Sequence, residues 1–295
     1  MTTIVLLAVT GLGLAALYFL AASGLTLVFG LADVLNLAHG LLVSVGAYTA
    51  WVTATSLGGS HPSTRDIAIA VVAGTAAGAL AATVVEVTMI RPLYQRTFEQ
   101  ILITVGLSLA GVALLQIVWG TQPLTFPKPA WTATVSTIAG MAVPNHSLIL
   151  IAAAATVLIG LTLFLRHTRI GLIVRAGVQD REMVIALGVN VRTAFTVVFA
   201  IGGAAAALGG ALGGIYFGAI DPSQGAALLI FAIGVVIIGG KGSITGTAVA
   251  ATVVGLLQQF VNYYAAAGAG DLCVIALLAA VVLVRPQGLA GGKTA

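Results

Sequence analysis

An all-α, polytopic membrane helix bundle with about nine spans is the fold class this sequence predicts, and three observations carry that expectation. Hydrophobic residues make up 60% of the 295 and charged residues only 7%, where soluble domains hold roughly 45–50% and ~25%, so a soluble fold could not cover the apolar surface. Apolar runs close to the ~20 residues a helix needs to cross a bilayer recur along the whole chain. Between them the cations fall almost entirely into alternate loops, as retention of Lys and Arg on the cytoplasmic side requires.

Taken in order, the predicted spans are Ile4–Gly30, Gly40–Leu57, Ile67–Ile90, Gln100–Gly120, Ser147–Leu165, Thr193–Gly214, Ala226–Gly239, Ser243–Tyr264 and Ala269–Val284. The seventh and ninth are short; a turn inside the first run, or a re-entrant seventh, changes the count to eight or ten. Ile4–Gly30 lacks a basic start and exceeds the core of a signal peptide, so it is expected to remain as a span. Placing the loop 166–192 inside and alternating outward leaves only Arg65 and Lys128 of the twelve Lys and Arg residues outside. That orientation puts the C-terminus in the cytoplasm and, with nine crossings, the N-terminus outside. The chain reads as one transmembrane domain, 1–295, with an external loop 121–146 and a cytoplasmic loop 166–192. Pro123, Pro127, Pro129 and Pro144 argue against helix in the external loop, which is expected to be ordered with a small hairpin, Trp119 and Trp131 lying at the interface.

The sixth span contains AIGGAAAALGGALGG, small residues that let neighbouring backbones approach on more than one face. The consequence is tight packing around a path or a pairing surface for a second subunit. Polar residues are spent at a few places. LADVLNLAHG, Leu31–Gly40, sets Asp33, Asn36 and His39 three apart, on one side of a helix or tight turn. Ionisable groups at membrane depth cost ~2.5–3.5 kcal/mol on insertion scales, so these residues line an interface or a solute path. The alternative is a helix break in which Asp33 caps the next turn and His39 bonds a backbone carbonyl. One His, one Asp and one amide make a poor ligand set, and no metal is expected.

A second break, GGKGSITG at Gly239–Gly246, adds Gly240 and Ser243 to the candidate path. The two broken stretches form a weak internal repeat, and paired interrupted helices mark a translocation path, because broken backbone is tolerated only where protein or a water-filled cavity satisfies it. GGKGS lacks the GxxxxGK[ST] spacing of a phosphate cradle. In DPSQG, Asp221–Gly225, Asp221 or Ser223 is placed to cap a helix starting near Gln224. With Tyr216 and Phe217 they are the candidates for an outer mouth. Glu86, near Arg91, and Gln116 read as buried polar partners for neighbouring helices. Cys273 is the only cysteine and makes neither an internal disulfide nor a thiolate cluster.

The most polar stretch is Gly171–Arg192, GLIVRAGVQDREMVIALGVNVR, which holds Arg175, Arg181, Arg192, Asp180 and Glu182. Asp180 as N-cap, Glu182 in the first turn and Gly188 as a left-handed stop predict a two-turn helix, Arg181–Leu187. Met183, Ala186 and Leu187 fall at i, i+3 and i+4, a ridge flanked by Arg181, Glu182 and Asn190 that suits a groove on a cytosolic partner. The alternative is a loop helix lying on the bilayer.

The run RAGVQDREMVIALGVNVRTAF resembles the cytoplasmic coupling loop of permease subunits of the branched-chain amino acid ABC importers, the family of the LivH permease. GLTLVFGLADVLNLAHG, GVVIIGGKGSITGTAVA and LVRPQGLAG match in the same order, so the resemblance spans nearly the whole chain. It implies that Arg175, Gln179, Asp180, Arg181, Glu182, Met183, Ala186, Leu187, Gly188 and Asn190 couple the bundle to an ATPase. It implies two ATP-binding ABC subunits carrying ATP and Mg, a second related permease in a heterodimer, and an external solute-binding protein. No cofactor is expected on this chain, and no nucleic acid, since the net charge of +4 reflects loop bias. The implied location is the bacterial cytoplasmic (inner) membrane and the implied solute a branched-chain amino acid, though urea, amides and aromatic acids use similar permeases. No nucleotide-binding motif, Ser/His/Asp set or Cys/His set is present, so the chain is not expected to be an enzyme. Two rivals remain: an ion-coupled transporter using Asp33, Glu86 or Asp221, and a passive channel for a small neutral solute.

Overall fold

The computed structural model describes residues 2–32, 36–94, 96–138, 141–179, 181–186, 188, 191–285 and 287–289. The chain is an all-α membrane bundle. Helix α1, Thr2–Ala32, is unbroken, so the first apolar run holds no turn. Then come α2 (His39–Gly58), α3 (Thr64–Val85), extended by a π turn at Glu86–Ile90 and a 3₁₀ turn at Arg91–Leu93, and α4 (Thr97–Trp119). A connection follows with β1 (Leu124–Thr125), α5 (Ala130–Ala133), β2 (Val135–Ile138) and β3 (Met141–Pro144). The second half holds α6 (Asn145–His167), α7 (Arg169–Gln179), α8 (Arg181–Ala186), α9 (Val191–Phe217), β4 (Ala219–Ile220), α10 (Gln224–Gly239), α11 (Ile244–Tyr264) and α12 (Ala269–Val284).

Among the described residues 7 helices, α1, α2, α3, α4, α6, α9 and α11, are long and apolar enough to cross a membrane. Helices α10 and α12 are the two short apolar segments, 16 residues each. At 1.5 Å per residue such a helix reaches ~24 Å, less than the ~30 Å hydrocarbon core. The nine predicted spans therefore each correspond to a helix.

The bundle has two unlike ends. At one, β2 and β3 form the expected hairpin, Val135 opposite Pro144 and Ile138 opposite Met141. Beside it β1 pairs antiparallel with β4, tying the connection to the end of α9, and Phe126 N–H donates to the Gly218 carbonyl at 3.0 Å. We call this the hairpin end. Helix α6 runs from it to the opposite end, which holds α7, α8, the 3₁₀ turn at Arg91 and the connection 240–243 that follows α10. We call that the basic end, because among the described residues only Arg65 and Lys128 of the Lys and Arg residues lie at the hairpin end.

Helix α9 is the axis of the bundle, with 67% of its most apolar window buried against 17% for α4. Its small residues make this possible on three sides at once. A Cβ on Gly24 of α1 would lie 2.6 Å from Gly202 Cα, one on Gly78 of α3 2.7 Å from the Gly203 oxygen, and one on Gly210 2.8 Å from the Val43 carbonyl carbon of α2. The small-residue surface is thus consumed by close packing inside the chain. Helix α4 lies at the rim and presents Phe98, Leu102, Leu109, Leu114, Ile117 and Val118 outward. Gln116 shares that exposed face and is not the buried partner expected of it, because α4 packs only on α2 and the end of α3.

Candidate functional site

The two broken stretches both pack against α1, the second at its last turns and the first nearer its middle. Thr26 of α1 and Thr247 of α11, both fully buried, share a hydrogen bond of 2.8 Å, and Lys241 Nζ sits 4.8 Å from the Phe29 ring centroid. Thus the last turns of α1 lie against the second break. In the first, Asn36 Oδ1 accepts from Ala38 N–H at 3.0 Å and the Asn36 carbonyl from His39 N–H at 3.1 Å, so Asn36 starts α2. His39 Nε2 lies 2.9 Å from the Ala21 carbonyl and donates to it, the partner foreseen in the break reading. Asn36 and His39 are both buried, while Asp33 lies outside the described residues.

In the second break the backbone turns on Gly240 (φ 96°) and Gly242 (φ 70°), which side-chain-bearing residues rarely match. Ser243 Oγ then accepts from Gly246 N–H at 3.1 Å and caps α11. The end of the chain closes over this break: Leu289 N–H donates to the Ile238 carbonyl at 2.8 Å, and Gly288 (φ 76°) leaves no room for a Cβ against Gly240. The signal for this closure was the glycine two residues past the proline in LVRPQGLAG, four residues after the last span.

The loop between α6 and α9 holds two helices where one was expected. Arg169–Gln179 forms α7, with Gly171, Val174 and Gly177 turned inward and Leu172 and Arg175 exposed. Gln179 is its last residue. The predicted helix at Arg181 is α8, described through Ala186, which carries Arg181, Glu182, Met183 and Ala186. Val184 packs into the core while Met183 (62% exposed) and Ala186 face outward. Gly188 has the left-handed φ of 75° expected of a helix stop. Asp180, Leu187 and Asn190 lie outside the described residues.

Just beyond α8, the start of α9 is pinned to the end of α3. Glu86, fully buried in the π turn, accepts from Arg91 (3.2 and 3.3 Å), from Thr196 Oγ1 at 2.9 Å and from Tyr94 OH. Arg91 also donates to Thr196 Oγ1 at 2.6 Å, and the Tyr94 ring lies 4.5 Å from that of Phe195. Glu86 is therefore the buried interhelical partner expected of it, with every contact drawn from two elements that meet beside α8.

At the hairpin end Asp221 Oδ1 accepts from Ser223 N–H at 2.8 Å and Ser223 Oγ–H at 2.5 Å. Asp221 thus closes the turn that leads into α10, and Ser223 makes no side-chain bond to the helix, a correction to the capping expected of the pair. Tyr216 meets His146 edge-on at 5.3 Å and Phe217 at 5.0 Å, Phe217 being half exposed. A second network went unforeseen. Tyr18 OH donates to Gln258 Oε1 at 2.6 Å, Gln258 Nε2 donates to Asp271, and Tyr18 stacks on Phe231 at 5.0 Å, joining α1, α10, α11 and α12. Gln258 within an apolar span was its signal.

Comparison with known proteins agrees with this architecture. The chain is 25% identical over 287 residues to the high-affinity branched-chain amino acid transport system permease protein LivH of Salmonella typhimurium, covering 95% of this chain and 93% of that one. It is 26% identical over 291 residues to the corresponding permease protein BraD of Pseudomonas aeruginosa, covering 96% and 94%. A probable branched-chain amino acid transport permease protein LivH of Methanocaldococcus jannaschii is 26% identical over 295 residues, covering 93% and 89%. No solved structure matches the chain. The model of the family described as branched-chain amino acid transport system / permease component matches residues 7–284, and the chain belongs to that family.

Proposed function

We infer that this chain is the membrane permease subunit of an ATP-driven ABC importer that moves a small amino-acid-like solute, most simply a branched-chain amino acid, inward by alternating access. The observation that carries this reading is α8, a short helix exposing Met183 and Ala186 between two membrane helices at the basic end, in a chain whose family pattern runs from residue 7 to 284. On this reading the basic end faces the cytoplasm of a bacterial inner membrane, as the distribution of Lys and Arg favours. A separate ATP-binding subunit seats on α8, with Arg175, Gln179, Asp180, Arg181, Glu182, Leu187, Gly188 and Asn190 completing the contact. Two such subunits serve this chain and a related second permease. An external binding protein delivers solute to the hairpin end, near Tyr216, Asp221 and Ser223.

Solute affinity alone cannot drive the cycle, since a ligand shifts an equilibrium only by its differential affinity for the two states. The work enters as ATP-driven movement of α8. From there α9 and the Glu86 cluster carry it to α3, and the paired breaks at Asn36–His39 and Gly240–Ser243 are where the path opens and closes. Glu86 is committed to Arg91, Tyr94 and Thr196, which argues against its serving as the coupling carboxylate of an ion-driven carrier.

The test is uptake of labelled L-leucine by vesicles holding the purified complex and its binding protein. Uptake that requires ATP on the α8 side supports the reading. Uptake driven by an ion gradient without ATP, or passive equilibration, contradicts it.

A further inference from the structure

Among the described residues four buried side-chain atoms have no hydrogen-bond partner: Ser44 Oγ, Tyr48 OH, Ser147 Oγ and Gln224 Oε1. Ser147 sits under Gly13 at the start of α6. The other three belong to α2 and the first turn of α10. Ser44 and Tyr48, each 2% exposed, are one turn apart on the same face of α2. A Cβ on Gly225 would collide with Ser44 Oγ and lie 3.0 Å from the Gly40 carbonyl carbon, so the Ser44 hydroxyl abuts the first turn of α10. Gln224, the first residue of α10, turns its amide toward Gly213 of α9, where a Cβ would be 4.0 Å from Nε2 and 3.4 Å from Leu17 of α1.

An unpaired polar atom away from water costs about 1–3 kcal/mol, and three such atoms on α2 and the first turn of α10 call for a common partner. The pattern of donors and acceptors describes it. The Ser44 hydroxyl stands at the positive end of a 16-residue helix whose own N-cap residue, Ser223, gives its hydroxyl to Asp221, and the Tyr48 hydroxyl is one turn further along the same face of α2. That combination binds a carboxylate. Gln224 Oε1 is an acceptor without a donor, and the Asp221 carboxylate is one turn away, its carbonyl accepting from Gln224 N–H at 3.2 Å. Those two suit an ammonium group. The neighbouring Leu17, Gly213 and Gly225 bring no competing polar side chain.

We propose that the junction of α2 with the first turn of α10 is a binding site for the backbone of a zwitterionic α-amino acid. Ser44, Tyr48 and the N-terminus of α10 hold the carboxylate; Gln224 and Asp221 hold the ammonium. The site rests on the import reading and gives it a location for the solute. It also differs from the two breaks, where Asn36, His39 and Ser243 are already paired.

The test uses the full chain with its partner subunits in lipid nanodiscs, with L-leucine and leucinamide as probes and thermal unfolding as readout. L-Leucine raises the melting temperature and leucinamide, which lacks the carboxylate, does not. Ser44→Ala and Tyr48→Phe each weaken the leucine effect about tenfold, as loss of one charge-assisted hydrogen bond predicts. Neither lowers the ligand-free melting temperature, because each removes a hydroxyl that has no partner. The proposal is overturned if leucine fails to protect the wild type, if it protects both variants as well as the wild type, or if ligand-free stability falls in both. ATP-driven leucine uptake, measured in parallel, separates the two readings: wild-type uptake with unaltered binding in both variants removes this site and leaves the importer standing.

Discussion

The start of α10 and the rest of the bundle spend their polar groups differently. Away from that start each side chain that matters is satisfied from within: His39 by Ala21, Asn36 by Ala38, Ser243 by Gly246, Glu86 by three residues. Beside it Ser44 Oγ, Tyr48 OH and Gln224 Oε1 are buried with nothing to bond. A paired group deep in a membrane protein holds helices in register, and its removal is felt as lost stability. An unpaired one costs stability to keep, and its removal should be felt as lost binding. The comparison therefore separates joints from contacts with solute.

Mutations in each group sharpen or break that distinction. The largest effect is expected at Glu86→Ala, which removes the buried acceptor shared by Arg91, Tyr94 and Thr196 and loosens α9 from the end of α3. It should cost about 3 kcal/mol in denaturant unfolding of the purified chain. A loss below about 1 kcal/mol would mean the cluster is not a joint. His39→Leu removes one buried donor while the Ala21 carbonyl keeps its place in α1, and a loss of about 1–2 kcal/mol is expected in the same assay. Ser243→Ala deletes the cap of α11 and should cost about 1 kcal/mol. The buried Thr26–Thr247 bond is the smallest term: Thr26→Val should cost about 0.6 kcal/mol, typical of hydrogen bonds between membrane helices. Losses of this kind at Ser44 or Tyr48 would erase the contrast between the paired and the unpaired groups.

The helical frame was legible because hydropathy is a long-range average: each of the nine apolar runs became a helix, and the glycines of α9 announced close packing that Gly24, Gly78 and Val43 then supplied. The hairpin and the Glu86 partnership were legible from prolines and from a nearby arginine. Helix α7 was missed because its inward residues, Gly171, Val174 and Gly177, include two glycines, which read as loop. The pairing of β1 with β4 rests on two residues from each strand, too few to carry an alternating pattern. Ser44 was invisible for a different reason. A serine or threonine hydroxyl in an apolar helix usually bonds its own backbone four residues back, as Thr53 does to Thr49 at 2.8 Å, and only the fold reveals one that does not.

The central claim is that α8 is where an ATP-hydrolysing partner engages the bundle. The most direct test is co-purification of that partner from native membranes with the wild-type chain and with a Met183→Asp/Ala186→Arg variant, both positions being exposed on α8. The account predicts that the wild type retains the ATPase and that the variant, still inserted and folded, loses it. Retention by both, or by neither, would contradict it.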